Sequence, residues 1–176
     1  GLAGMFRTGA DLMLAEAARD ANVPFVMSGS SNASIEALGK LAPDHGWYQL
    51  YAARDKSISE DMIKRAEAAG LSTLVLTVDV PVHSNRERNT RNRFARPLNL
   101  KLSTMLDAMS YPGWLLEYLR EGMPMFDNWQ PYAKASANAD DVAELVSTQT
   151  APSLTWDDLA RFRELWPRNF VVKGIM

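Results

Sequence analysis

Three short apolar runs, starting near Val23, Trp47 and Leu74, recur about every 25 residues, and each gap between them carries the pattern of one helix. That rhythm restricts the fold more than any other feature of the chain. Strands joined through single helices run parallel, because a parallel pair needs a crossover of about a dozen residues or more. Such crossovers are right-handed and lay their helices against the sheet. The predicted units are a helix over 8–22, a strand over 23–28, a helix over 35–41, a strand over 47–51, a helix over 57–69 and a strand over 74–79 that Pro81 stops. Asn32 or Ser34 is the expected cap of the second helix, and Ser57 with Glu60 has capping-box spacing for the third. A fourth unit follows much later. Thr155 and Asp158 are spaced to start a helix that ends at Pro167, and residues 170–175 read as a strand.

Between residues 82 and 151 the rhythm is interrupted, with no clear helix expected before 151. An insertion on the C-terminal side of a strand lies where α/β folds carry their functional loops. Its first part is rich in arginine (Arg86, Arg88, Arg91, Arg93, Arg96), its middle over 100–118 is amphipathic, and residues 134–141 read as loop. The expected fold class is therefore α/β, with about four βα units of a (β/α)8 barrel and a long insertion over 82–151.

Composition narrows the function classes. An apolar fraction of 47% with 23% charged residues fits a globular chain, and a net charge of −2 gives no basic field to recruit nucleic acid. The absence of cysteine removes disulfide and thiolate chemistry and suits a reducing, cytoplasmic setting. No run reaches the roughly 18 apolar residues of a membrane-spanning helix. The chain starts without Met and ends inside what reads as a strand, so it reads as an internal stretch of a longer protein. Four units alone would expose strand edges and an apolar inner face, and such a piece is expected to be inactive and prone to aggregate.

Polar residues gather at the predicted strand ends: Ser28, Gln49 with Tyr51, Thr77 with Asp79, and Lys173. In an α/β barrel the C-terminal strand ends form one mouth, so this conjunction marks a candidate site. Residues two apart on a strand share a face, which groups Gln49 with Tyr51 and Thr77 with Asp79. The set has no second carboxylate for a glycosidase pair, no Gly-x-Ser-x-Gly elbow and no histidine cluster for a metal. His45 precedes its strand, at the opposite end of the sheet, and His83 reads as a solvated loop residue. What remains suits a flat polar ring of anionic character, with one carboxylate and one phenol near a reacting centre.

The same residues sit in seven short motifs. They are Gly-Leu-Ala-Gly-Met at the start, Phe-Val-Met-Ser-Gly-Ser-Ser-Asn-Ala-Ser-Ile-Glu over 25–36, Tyr-Gln-Leu-Tyr over 48–51 and Leu-Val-Leu-Thr-Val-Asp-Val-Pro over 74–81. Arg-Glu-Arg over 86–88 with Asn-Arg-Phe over 92–94, Leu-Thr-Trp-Asp-Asp-Leu over 154–159 and Val-Lys-Gly-Ile over 172–175 complete them. In this order and spacing the chain resembles the FMN-dependent α-hydroxy acid oxidase and dehydrogenase family, which includes glycolate oxidase, lactate oxidase, L-lactate dehydrogenase and mandelate dehydrogenase. The resemblance implies a (β/α)8 barrel that oxidises an (S)-2-hydroxy acid to the 2-oxo acid. It implies that Ser28, Gln49, Thr77 and Lys173 bind FMN, and that Tyr51, Arg86 and Ser30 face the substrate. Asp79, with Tyr51 the catalytic candidate, would pair with a catalytic histidine whose motif has no match in these residues.

A small Ser30 favours a bulkier hydroxy acid. The insertion matches a loop that attaches some bacterial relatives to the inner membrane, so 98–132, with Trp114, Leu115, Leu116, Tyr118 and Trp129, is a candidate for peripheral membrane contact. A homo-oligomer is expected of the full-length protein. The electron acceptor is left open between oxygen, a quinone and a cytochrome. Two alternatives also stay open: a non-catalytic interaction remnant, and another FMN barrel such as isopentenyl diphosphate isomerase.

Overall fold

A computed structural model describes residues 3–79, 87–91, 102–149 and 154–175. Its centre is a four-stranded parallel sheet in the order β1 (Phe25–Ser28), β2 (Gly46–Tyr51), β3 (Thr73–Thr77), β4 (Asn169–Lys173). Between strands lie α1 (Ala10–Asp20, ahead of β1), α2 (Ile35–Leu41) and α3 (Lys56–Ala68), and α8 (Trp156–Leu165) leads into β4. Each strand pairs with its neighbour in sequence, as successive βα units require.

The two faces of the sheet differ sharply. Met27, Tyr48, Leu50, Leu74 and Leu76 point one way and are fully buried in one cluster with Ile35, Leu38, Met62, Ile63 and Phe162 from the helices and Trp166 from the turn after α8. On the other face the register aligns Val26 with Trp47, and Gln49 with Val75 and Val171. Val26 and Val171 there are 44% and 41% exposed. In a closed barrel that face is the interior.

Local choices explain most element ends. Of the two cap candidates for α2, Ser34 accepts from the Ala37 N–H, while Asn32 instead donates through Nδ2 to the Met125 carbonyl (2.8 Å). The expected Ser57–Glu60 capping box of α3 does not form. Asp55 caps that helix by accepting from the Ser57 N–H, and Glu60 pairs with Arg161 of α8 (2.7 Å). An aspartate two residues upstream reaches the free N–H groups first, so the spacing rule identified the right turn and the wrong residue. The Thr155–Asp158 capping box of α8 does form. Asp158 also bonds Lys56 of α3, and that hydrogen bond together with the Thr155 N–H holds its carboxyl below the usual range. Strand β4 stops at Lys173 rather than at 175, because Gly174 turns into the left-handed region (φ 99°). Strand β3 likewise ends at Thr77, not Asp79.

The expectation of no clear helix between residues 82 and 151 is corrected. Between β3 and α8 the described residues form α4 (Glu87–Arg91), α5 (Leu102–Met109), α6 (Pro112–Glu121) and α7 (Ala139–Gln149). Residues 139–141, read as loop, are the first turn of α7, started by Asn138 Oδ1, which accepts from the N–H groups of Asp140 and Asp141. The Ala, Ser, Asn and Asp content that signalled loop is also cap chemistry. Phe126, Asn128, Trp129, Ala139 and Val142 of this segment are buried, so it packs as part of the domain.

Candidate active site

The strand ends bring the predicted residues together in two adjacent rows. Ser28 is in register with Gln49, and two residues further along Tyr51 is in register with Thr77 and Thr77 with Lys173. Residues in register on parallel strands share a face, so Ser28, Gln49, Tyr51, Thr77 and Lys173 all project from the same side of the sheet at its C-terminal edge. The rows are tied by a diagonal hydrogen bond in which Gln49 Nε2 donates to Thr77 Oγ1 (2.7 Å). Thr77 is buried, and Gln49 and Tyr51 are half-buried. Ser28 Oγ accepts from the Ser30 N–H (3.2 Å), which turns the chain sharply after β1 and sets Ser30 beside this edge.

Asp79 lies just past β3, where the Val78 N–H still donates to the Lys173 carbonyl (2.9 Å). The Asp79 carboxylate accepts from Lys173 Nζ (2.6 Å). That hydrogen bond raises the Lys173 pKa, with a smaller contribution from Tyr51. The close fit of this corner depends on Gly174: a Cβ there would stand 2.4 Å from Asp79 Cβ. Only a residue without a side chain admits Asp79 beside Lys173. Arg86 and His83 lie outside the described residues. His45 Nε2 meets Asn22 Oδ1 (3.0 Å) at the opposite end of the strands.

Trp129, expected at a membrane surface, is instead buried, and with residues that sequence reasoning passed over it supports the edge from outside. Trp129 Nε1 donates to the Gly29 carbonyl (2.9 Å). Asn128 accepts from the Ile35 N–H (2.8 Å) and donates to the Ala33 carbonyl (3.2 Å). Beyond Tyr51, Ser59 Oγ accepts from the Ala53 N–H (2.8 Å), and Gln149 accepts from the Arg54 and Asp55 N–H groups through its carbonyl (2.6 Å) and Oε1 (3.0 Å). No local pattern points to Trp129, whose partner lies 100 positions away.

The donor set fits a flavin ring in chemical kind. Two hydroxyls, an amide and an ammonium on one face can satisfy the ring's alternating N–H and carbonyl positions, and the cation suits its electron-accepting edge.

Comparison with known proteins agrees with this chemistry. A family model described as FMN-dependent dehydrogenase matches residues 1–176. (S)-mandelate dehydrogenase of Pseudomonas putida is 38% identical over 176 residues, covering 100% of this chain and 44% of that protein. L-lactate dehydrogenase of Vibrio parahaemolyticus is 32% identical, covering 100% and 46%. A crystal structure of the monotopic membrane protein (S)-mandelate dehydrogenase superposes with a TM-score of 0.92 at 38% identity, over 99% of this chain and 46% of that one. The chain thus spans less than half the length of these relatives.

Proposed function

Because the chain belongs to the FMN-dependent dehydrogenase family, we propose that its protein oxidises an (S)-2-hydroxy acid of the lactate, mandelate or glycolate type to the 2-oxo acid. The observation that carries this reading is the single-faced row of Ser28, Gln49, Tyr51, Thr77 and Lys173 at the strand ends, with Asp79 against Lys173. Bound FMN supplies a two-electron acceptor. Ser28, Gln49 and Thr77 hold its ring by hydrogen bonds, and Lys173 places a positive charge at the edge where negative charge develops. Tyr51, one step outward on the same face, orients the substrate hydroxyl and carboxylate through its phenol. Arg86 holds the carboxylate as a guanidinium fork does. Ser30 leaves space beside the substrate, which favours a bulkier side chain. Asp79 stabilises the imidazolium that forms when a histidine elsewhere in the protein takes the substrate proton.

Full-length protein loaded with FMN is expected to bleach its flavin band within one turnover on adding (S)-mandelate or (S)-lactate without an electron acceptor. Reoxidation by oxygen, a soluble quinone and cytochrome c, tried separately, then identifies the acceptor. A flavin that stays oxidised with every 2-hydroxy acid tried would remove this reading and leave the isomerase-like or non-catalytic alternatives.

The same protein docks on a membrane surface through α5 and α6. No helix among the described residues is long and apolar enough to cross a membrane. These two, with Tyr111 between them, instead expose Leu106, Met109, Tyr111, Leu116 and Leu119, each at 54% or more. Leu116 and Leu119 lie three apart on one helix face, as a surface-lying helix presents them. The similarity to a monotopic membrane enzyme supports this placement. With anionic phospholipid vesicles, Leu116→Glu together with Leu119→Glu is expected to lower co-sedimentation of the full-length protein at least tenfold, while flavin reduction persists. Equal partition of variant and wild type would sink the membrane reading.

A further inference from the structure

We propose that Trp129 is a positioning residue for the active site, acting as a clasp that fixes the loop after β1 against the end of β2. The inference rests on the proposed function for what the loop does, and on geometry alone for the clasp itself. Gly29 stands between the two flavin- and substrate-facing serines, Ser28 and Ser30. Its carbonyl accepts from the buried Trp129 indole N–H. An added Cβ at Gly29 would sit 3.1 Å from the Gln49 carbonyl and 3.6 Å from the Tyr51 N–H nitrogen. Gly29 is therefore both bonded by Trp129 and packed closely on the stretch of β2 that carries Gln49 and Tyr51.

Neighbouring contacts repeat the arrangement along the same loop. Asn128 holds the Ala33 carbonyl and the Ile35 N–H, and the Met125 carbonyl holds Asn32 Nδ2. Three residues of the segment between α6 and α7, Met125, Asn128 and Trp129, thus satisfy polar groups across residues 29–35. A backbone carbonyl with a fixed donor cannot rotate, and rotation of the Gly29 peptide would break the bond from the Ser30 N–H to Ser28 Oγ. Trp129 does not touch the reacting atoms. It sets the orientation of the two serines that flank Gly29, Ser28 proposed at the flavin ring and Ser30 beside the substrate.

Trp129→Ala would empty a buried site and risk the fold, so Trp129→Phe is the informative change: it keeps an aromatic ring in the core and removes the donor with a much smaller loss of volume. In full-length FMN-loaded protein, amide hydrogen exchange over residues 29–33 is expected to quicken about tenfold, with β2 and β3 unchanged. Substrate KM, measured per flavin-loaded site, is expected to rise by about the same factor. A merely structural tryptophan would lower the loaded fraction and leave KM per loaded site alone. Unchanged exchange over 29–33 overturns the clasp. Faster exchange with unchanged KM and unchanged flavin reduction overturns its role in positioning. If the wild-type flavin stays oxidised with every 2-hydroxy acid tried, the functional reading is what has failed, and the exchange result alone decides the clasp.

Discussion

Asp79→Ala is expected to slow flavin reduction by the substrate about 100- to 10,000-fold, the range for losing a group that supports proton transfer, while FMN stays bound. The reasoning separates two jobs that meet at one corner. Of the proposed ring contacts Ser28, Gln49, Thr77 and Lys173, it is Lys173 that bonds Asp79, and the Gln49–Thr77 hydrogen bond does not depend on that carboxylate. The carboxylate, by contrast, holds Lys173 at 2.6 Å and is the proposed counter-charge for an imidazolium. Losing it leaves that imidazolium unstabilised and also frees the Lys173 ammonium, whose pKa then falls back towards its ordinary value. Single-turnover reduction followed at the flavin band is the measurement. A rate equal to wild type would take Asp79 out of the mechanism.

Trp166→Ala is expected to cost about 3–5 kcal/mol of stability, the range for emptying a large aromatic from a core. Trp166 follows α8, is fully buried, and donates its indole N–H to the Asn169 carbonyl at the first residue of β4 (2.7 Å). Arg163 closes the same turn by donating to the Trp166 and Arg168 carbonyls (2.7 and 2.8 Å), and the Arg168 guanidinium lies over the indole ring. Strand β4 pairs only with β3 among the described strands, so its place depends heavily on this turn. The denaturant midpoint of the full-length protein should fall with little change in slope. A loss under about 1 kcal/mol would show that β4 is held by its ladder to β3 and not by the turn.

The βα rhythm was legible because it comes from local physics. Apolar runs of strand length, helix periodicity and cap residues each act within a few positions, so three strands and their helices fall close to where patterning puts them. Local patterning also misjudged some details for a local reason. At α3 two candidate caps compete within three residues, and near 134–141 the residues that favour loops also start helices.

The site divides along the same line. Residue type at strand ends was enough to mark Ser28, Gln49, Tyr51, Thr77 and Lys173, since a parallel sheet carries every C-terminal strand end to one edge.

By itself, then, the sequence determined that this chain forms parallel βα units and which polar groups stand at their ends. Tertiary structure alone decided that Asp79 meets Lys173 across β3 and β4, that Gly174 must lack a side chain to permit it, and that Trp129 closes on Gly29. Those contacts join residues about a hundred positions apart. No local propensity encodes them, because they exist only once packing has brought the segments together.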